Sequence, residues 1–244
     1  MVAMCSAPAD TVNSGGPGPR ARCSSTNQPK YADRLEGGAA LARQLFDKFQ
    51  GRTDTAVLAI SRAGLVVADV VGEALGLPVA AFYVRQIRSP DHPKLSLGAV
   101  TSGRLTSYNT EIIEGLGLTP AALEATATAA NLEMEHEQTA LAPRYGHTLQ
   151  NLLASDHPIR ILLVDDGIVS GDDVRSAVDA LQRHRPGTRI TVATPIGVAD
   201  TMRLIARRVE ATVVAYVPVI AYKVPSWYET GTDLSAEEVA RISH

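Results

Sequence analysis

Two adjacent carboxylates, Asp165 and Asp166, follow an apolar run and precede a short glycine-containing loop. Carboxylates at the end of a strand can accept hydrogen bonds from the vicinal hydroxyls of a sugar. A loop that leads into a helix presents backbone N–H groups and a partial positive charge, which favour phosphate. The stretch from Asp165 to Gly171 therefore has the chemistry to hold a sugar phosphate at both of its ends.

The same residues allow an alternative that needs no ligand. Asp-Asp-Gly is a common turn, and Ser170 with Asp173 forms a capping box of the kind that starts a helix. The spacing alone leaves both interpretations open.

A second unusual turn has the sequence Ser61-Arg62-Ala63-Gly64 and separates an apolar run from a helical pattern. Arg62 supplies a positive charge, and Gly64 allows another backbone to approach closely. An ordinary strand–helix turn is the alternative interpretation.

The elements that position these turns are five short apolar runs with helical patterns between most of them. Runs without alternation are typical of strands buried on both faces, and βαβ spacing predicts parallel pairing. We therefore predict a doubly wound α/β fold with a mainly parallel five-stranded sheet and helices on both faces. In such folds ligands bind at the carboxyl ends of the strands, where both turns lie. The predicted strands are Ala56–Ile60, Pro78–Val84, Ile159–Val164, Arg189–Thr194 and Ala211–Ala215.

Residues 85–150 interrupt the βαβ pattern, and we interpret them as an inserted hood over one end of the sheet. Leu97–Thr101 and Arg104–Tyr108 predict a hairpin. Thr119-Pro120 opens a long helix, which Pro143 is expected to end near Leu141. The hood belongs to a single domain of residues 31–244, and residues 1–30 predict a disordered tail.

Composition excludes several classes of function. The net charge of −3 over 244 residues argues against a nucleic-acid scaffold. Cys5 and Cys23 both lie in the tail, so no cysteine remains elsewhere for a nucleophile or a zinc site. No signal-peptide core is present, and the longest apolar run, Ala211–Tyr222, is too short to cross a bilayer. We expect a cytoplasmic protein with neither nucleic-acid nor membrane partners.

Several ordered landmarks resemble one known family. Residues 161–177 resemble the ribose-5-phosphate signature of the type I phosphoribosyltransferases. Residues 31–42, with the pattern Tyr-x-Asp-Arg-x-x-Gly-Gly-x-x-Leu-Ala, are similar to the opening helix of a bacterial branch of predicted phosphoribosyltransferases. Leu97-Gly98-Ala99-Val100 and Ser226-Trp227-Tyr228 are similar to the same branch. The resemblance extends over nearly all of residues 31–244.

The resemblance implies a magnesium-dependent reaction. A nitrogenous base or amine would displace diphosphate from C1 of phosphoribosyl diphosphate, and the reverse reaction is equally allowed. Asp165 and Asp166 would contact the ribose hydroxyls and assist Mg²⁺ through water. The 5-phosphate would be wrapped by the segment Gly167, Ile168, Val169, Ser170, Gly171, Asp172 and Asp173.

The resemblance also assigns residues to the diphosphate and to the base. Ser61, Arg62, Ala63 and Gly64 would bind the diphosphate, with Arg62 in a catalytic role. Arg85 and Arg88 follow the second strand, where the family keeps cations near that group. Trp227 would either stack on a base or pack the C-terminal segment. Many members dimerise, although no stripe of residues here identifies an interface.

The chain departs from the family pattern at three places. Asp172 and Asp173 replace small or hydroxylated residues, and a carboxylate about 4 Å from a phosphate costs about 4 kcal/mol at an effective dielectric of about 20. Gln86 replaces a lysine, and Arg88 and Lys94 are nearby cations. The 61–64 turn reads Ser-Arg-Ala-Gly where this branch more often has Pro-Arg-Gly-Gly. A catalytically degenerate regulatory protein that binds ribose phosphates or nucleotides therefore remains the alternative to an enzyme.

Overall fold

The structure is a computed structural model that describes residues 30–102, 105–154, 159–218 and 223–230. Most of the predicted N-terminal tail and both cysteines lie outside these residues, as does the tip of the predicted hairpin. The elements in chain order are α1 (Arg34–Phe49), β1 (Thr55–Ala59), α2 (Arg62–Leu75), β2 (Val79–Ala81), β3 (Val84–Arg88), β4 (Ser96–Thr101), β5 (Leu105–Tyr108), α3 (Thr110–Leu116), α4 (Pro120–Ala154), β6 (Arg160–Val164), α5 (Asp172–His184), β7 (Arg189–Ile196), α6 (Ala199–Ala206), β8 (Ala211–Tyr216) and a 3₁₀ helix (Val224–Trp227).

The main sheet confirms the predicted fold class. Its five parallel strands have the order β2-β1-β6-β7-β8. Alternate strand residues face two separate cores, because successive side chains of a strand point to opposite faces. Val57 and Leu162 belong to the core shared with α1 and α2, whereas Leu58 and Leu163 belong to the core shared with α5 and α6. This burial on both faces explains why the strands are continuously apolar.

The insertion forms a second sheet of three antiparallel strands in the order β3-β4-β5. The predicted hairpin is present, with Ala99 opposite Ser107. The small sheet packs against α5, and α4 packs against β2 and β3. The insertion therefore lies beside the helix that follows the Asp165–Gly171 segment.

The predicted second strand, Pro78–Val84, is wrong because it is too long. β2 ends at Ala81, and β3 begins at Val84 in the other sheet. Between them Tyr83 accepts a hydrogen bond from the backbone N–H of Ser102 (2.9 Å) and donates its own N–H to the Ser102 hydroxyl (2.8 Å). The chain leaves β1 and begins to pair with β4 at this point, so a single apolar run contributes to two sheets.

The predicted end of the long helix is also wrong. α4 continues past Pro143 to Ala154. Proline within a helix costs about 3 kcal/mol, but the segment beyond it is anchored by burial. Leu149 and Leu152 lie in the second core, and the Tyr145 hydroxyl donates to Asp69 Oδ2 at 2.6 Å. Tertiary packing therefore outweighs the local penalty. None of the described helices combines the length and apolar character needed to cross a membrane.

Candidate functional site

The two turns singled out in the sequence lie side by side. β1 and β6 are neighbouring parallel strands with Ala59 opposite Val164, so their carboxyl ends meet at one edge of the sheet. Ser61 Oγ donates to Asp165 Oδ1 at 2.6 Å and accepts the backbone N–H of Gly64 at 2.9 Å. Ser61 therefore begins α2 and also orients the first carboxylate of the acidic pair.

Gly64 permits the close approach of these turns. A Cβ atom on Gly64 would lie 2.8 Å from Asp165 Oδ1 and 3.0 Å from Asp165 Cα. Any larger residue would push the two strand ends apart. The close backbone approach expected at this glycine is thus made within the protein, to the acidic turn.

Asp166 is held in a buried network that the sequence did not reveal. Arg34 Nε donates to Asp166 Oδ2 at 2.9 Å, and both side chains are at least nine-tenths buried. The Arg34 guanidinium also lies 4.9 Å from the centroid of the Tyr228 ring. The Tyr228 hydroxyl donates to the Asp166 backbone carbonyl at 2.5 Å. Asp166 is therefore fixed from α1 and from the C-terminal segment.

One signal in the sequence could have located Arg34. It precedes Gly38, Leu41 and Leu45 at helical spacing, so it lies on the buried face of α1. An arginine on the buried face of a helix almost always has a partner. Tyr228 carries no comparable signal, because its role depends on where the chain returns after β8.

Burial raises the pKa of both acids, by different amounts. The pKa of Asp165 is raised well above its ordinary value, first by burial and then by the neighbouring Asp166 carboxylate. Burial also raises the pKa of Asp166, but the Arg34 guanidinium opposes that rise. Asp165 is half-buried, whereas Asp166 is buried. Asp165 is thus the carboxylate that a ligand can reach.

The segment between the acids and α5 has the form of an anion-binding turn. The N-cap residue Gly171, at φ +72°, has no side chain to cap α5, and Ser170 Oγ accepts the N–H of Asp172 at a long 3.5 Å. The capping-box alternative for Ser170 and Asp173 is therefore not how this helix begins. Neighbouring elements brace the turn: Thr201 donates to the Val169 carbonyl at 2.6 Å, and Ile168 forms a backbone bridge to Gly197.

The two acids that depart from the family pattern both have partners. Asp172 forms an ion pair with Arg175 on its own helix. Asp173 Oδ1 accepts a hydrogen bond from Gln86 Nε2 at 2.8 Å. Gln86 is thus the insertion residue that contacts the start of α5.

The remaining predicted residues lie near this edge on two elements. Arg62 and Ala63 form the first turn of α2 and are partly exposed. Arg85 Nε lies 3.6 Å from Glu133 Oε2 of α4. Arg85 and Arg88 line a cavity of about 330 Å³ that also includes Asp173.

The acidic pair is suited to hold Mg²⁺ only in part. Magnesium prefers oxygen ligands and is usually bound through one or two carboxylates together with water and substrate phosphates. Asp165 fits this pattern, because it is a carboxylate in contact with solvent at the sheet edge. Asp166 fits less well, because one of its oxygens is committed to Arg34. Of the two acids, Asp165 is therefore the better candidate for a direct magnesium ligand.

Two curated proteins of Mycobacterium tuberculosis, from strains CDC 1551 and H37Rv, bear the name "Putative phosphoribosyl transferase" and are each 26% identical over 209 residues. The match covers 86% of this chain and 45% of each relative, so the chain spans about half the length of the curated relatives it matches. No family model matches the chain.

The chain is therefore similar to the "Putative phosphoribosyl transferase" proteins over most of its own length. Among solved structures, TT1426 from Thermus thermophilus has a TM-score of 0.68 at 24% identity. The match covers 87% of this chain and 97% of that one, which shows a shared fold.

The single tryptophan of the chain is a packing residue. Trp227 is only 4% exposed, and its ring centroid lies 5.7 Å from that of Tyr216. Tyr31 and Tyr228 complete the aromatic cluster. Burial raises the pKa of Tyr31 to about 12, so its phenol stays neutral and packed at ordinary pH. Of the two roles considered for Trp227, the structure shows packing.

Proposed function

We propose that this protein is a magnesium-dependent phosphoribosyltransferase. It transfers the 5-phosphoribosyl group between phosphoribosyl diphosphate and a nitrogenous acceptor. The observation that carries the proposal is the pairing of Ser61 with Asp165 across neighbouring strands, beside a helix start whose N-cap residue, Gly171, has no side chain. Such an edge offers a hydroxyl-binding carboxylate next to an anion-binding turn.

Each part of the substrate has a suitable place at this edge. The 5-phosphate lies against the backbone of residues 167–173, where the start of α5 favours negative charge. Asp165 accepts hydrogen bonds from the ribose hydroxyls, and Arg34 keeps Asp166 oriented beneath it. The diphosphate lies toward residues 61–64, where Arg62 supplies positive charge. Arg85 and Arg88 add cations across the cavity.

The reaction requires positioning and charge stabilisation more than proton transfer. The acceptor nitrogen forms a bond to C1 as the bond from C1 to the diphosphate oxygen breaks, and diphosphate leaves with the electron pair. Developing positive charge on the ribose is stabilised by the nearby carboxylates, and a fixed orientation lowers the entropic cost. Mg²⁺, when bound at Asp165, would neutralise charge on the diphosphate.

Calorimetry with phosphoribosyl diphosphate and Mg²⁺ tests the proposal. The double variant Asp165→Asn/Asp166→Asn should lose most of the affinity, whereas Asp200→Asn, an exposed acid on α6, should not. Tight binding that survives the double change would remove the assignment.

The alternative is a regulatory protein that binds the same ligand without turnover. It is favoured by Asp173, whose carboxylate stands at the phosphate turn and is held by the insertion through Gln86. Diphosphate release across a panel of bases and amines distinguishes the two functions. Binding without release supports the regulatory function, and measurable release excludes it.

A further inference from the structure

A second cavity, of about 610 Å³, lies between the small sheet and the outer face of α5. Its lining includes none of residues 61–64 or 165–171, although Arg88 and Asp172 border both this cavity and the proposed ribose-phosphate edge. Its volume falls within the roughly 300–1,000 Å³ that is usual for small-molecule sites. The cavity therefore has room for a metabolite of its own.

The cavity carries an excess of positive charge. Arg88, Lys94 and Arg183 line it and have no carboxylate partner within the described ranges of the chain. Three acids line the cavity. Asp172 pairs with Arg175 and Asp179 pairs with Arg208, whereas Glu111 has no basic partner among the described residues. Unpaired cations around a concave surface attract and hold an anionic ligand.

The same cavity exposes apolar surface. Tyr108 is 43% exposed and Leu95 is 40% exposed, and both belong to the lining. A tyrosine ring beside an aliphatic side chain offers a face on which a flat ring can stack. A cavity with cations alone would suit an inorganic anion. Because this cavity also has an apolar stacking surface, it suits an anion that carries an aromatic ring.

We propose that this cavity binds a phosphorylated aromatic metabolite of the size of a nucleoside monophosphate. The phosphate contacts Lys94 and Arg183, and the ring packs on Tyr108 and Leu95. The site does not depend on the proposed transferase activity. Because Asp172 also lines the cavity, the ligand would lie next to the first turn of α5.

Calorimetry with AMP and GMP on the full chain tests the site, with excess ribose 5-phosphate present to occupy the phosphate turn. Saturable binding should persist under these conditions. The double variant Lys94→Ala/Arg183→Ala, which keeps Arg88 of the proposed diphosphate site, should weaken it at least about tenfold, because charge-assisted contacts are lost. A matched variant, Lys48→Ala/Arg203→Ala, removes the same charge from exposed positions outside the cavity and should change Kd by less than about twofold.

A further variant distinguishes the contribution of the ring to binding from that of the phosphate. Tyr108→Ala should weaken AMP binding but leave the binding of inorganic phosphate unchanged. The absence of saturable nucleotide binding, or equal Kd values for the two double variants, would overturn the proposal. If phosphoribosyl diphosphate does not bind, the proposed transferase function fails but the second site does not, because nucleotide binding is measured in a separate titration.

Discussion

The amide of Gln86 in β3 donates a 2.8 Å hydrogen bond to the carboxylate of Asp173 at the start of α5. Ser96 Oγ in turn donates to Gln86 Oε1 at 2.5 Å, which orients the amide. Two of the departures from the family pattern thus meet in one contact. Gln86, which stands where the family pattern has a cation, binds Asp173, which stands where the pattern has a small residue. This contact holds Asp173 on the side of α5 that faces the insertion.

We expect Gln86→Ala to weaken the binding of ribose 5-phosphate by about tenfold or more, because the released Asp173 carboxylate can then face the phosphate. Adding Asp173→Ser to this variant should restore wild-type affinity. Gln182→Ala, which removes a glutamine hydrogen bond farther along α5, is the matched control. Calorimetry on the four proteins measures the effect, and a Gln86→Ala variant with unchanged affinity would contradict it.

Arg34→Met should strongly destabilise the protein, because it leaves the Asp166 carboxylate buried without its cation. Breaking a buried ion pair in this way costs about 3–5 kcal/mol. Denaturant unfolding followed by circular dichroism gives the free energy of unfolding. Asp166→Asn in the same chain should recover much of the loss, because no uncompensated charge then remains.

The exposed pair of Arg203 and Asp200 provides the comparison for that measurement. Arg203→Ala should change the free energy of unfolding by about 0.5 kcal/mol or less, as is usual for exposed pairs. Similar losses for Arg34→Met and Arg203→Ala would show that the buried network is not important for stability.

Gly64→Ala should damage both stability and binding, because the added methyl group would lie 2.8 Å from Asp165 Oδ1. Overpacking of this kind costs about 1–3 kcal/mol. Gly115→Ala is the control, since a Cβ there meets nothing within 4 Å on α3. It should be neutral or stabilising by up to about 1 kcal/mol. Thermal unfolding and phosphoribosyl diphosphate titration of both variants provide the comparison.

Asp165→Asn should alter how stability depends on pH in chelator-treated buffer. The folded-state pKa of Asp165 is raised above its ordinary value of 3.8. Stability from the protonated acid is therefore fully present below that ordinary value and is lost as pH rises through the folded-state pKa. The wild type should lose more stability than the variant between acidic and neutral pH.

Asparagine stays neutral at every pH, so the variant should gain stability relative to wild type near neutrality while losing ligand affinity. Asp200→Asn, at an exposed position, should follow the wild-type profile. If the stability of the wild type and of Asp165→Asn depends on pH in the same way, ionisation of Asp165 does not destabilise the fold.

Much of the fold could be predicted because its signals are local. The main-sheet strands β1, β6, β7 and β8 follow from apolar runs. The start of α4 follows from Thr119, which does accept the N–H of Ala122. The errors arose where distant contacts decide the outcome. Pro143 is a local terminator, but burial of the later turns keeps α4 intact. The run from Pro78 to Val84 divides because its second half pairs with β4.

The site was predictable to the same extent. The sequence by itself determined the two turns and their chemistry, because carboxylates, glycines and a strand–helix junction are properties of consecutive residues. Only the tertiary structure decided that Asp166 pairs with Arg34, that Ser61 orients Asp165 and that Gln86 holds Asp173. Each of these contacts joins residues more than 80 positions apart. Such contacts follow from strand order and helix packing, and no local pattern encodes them.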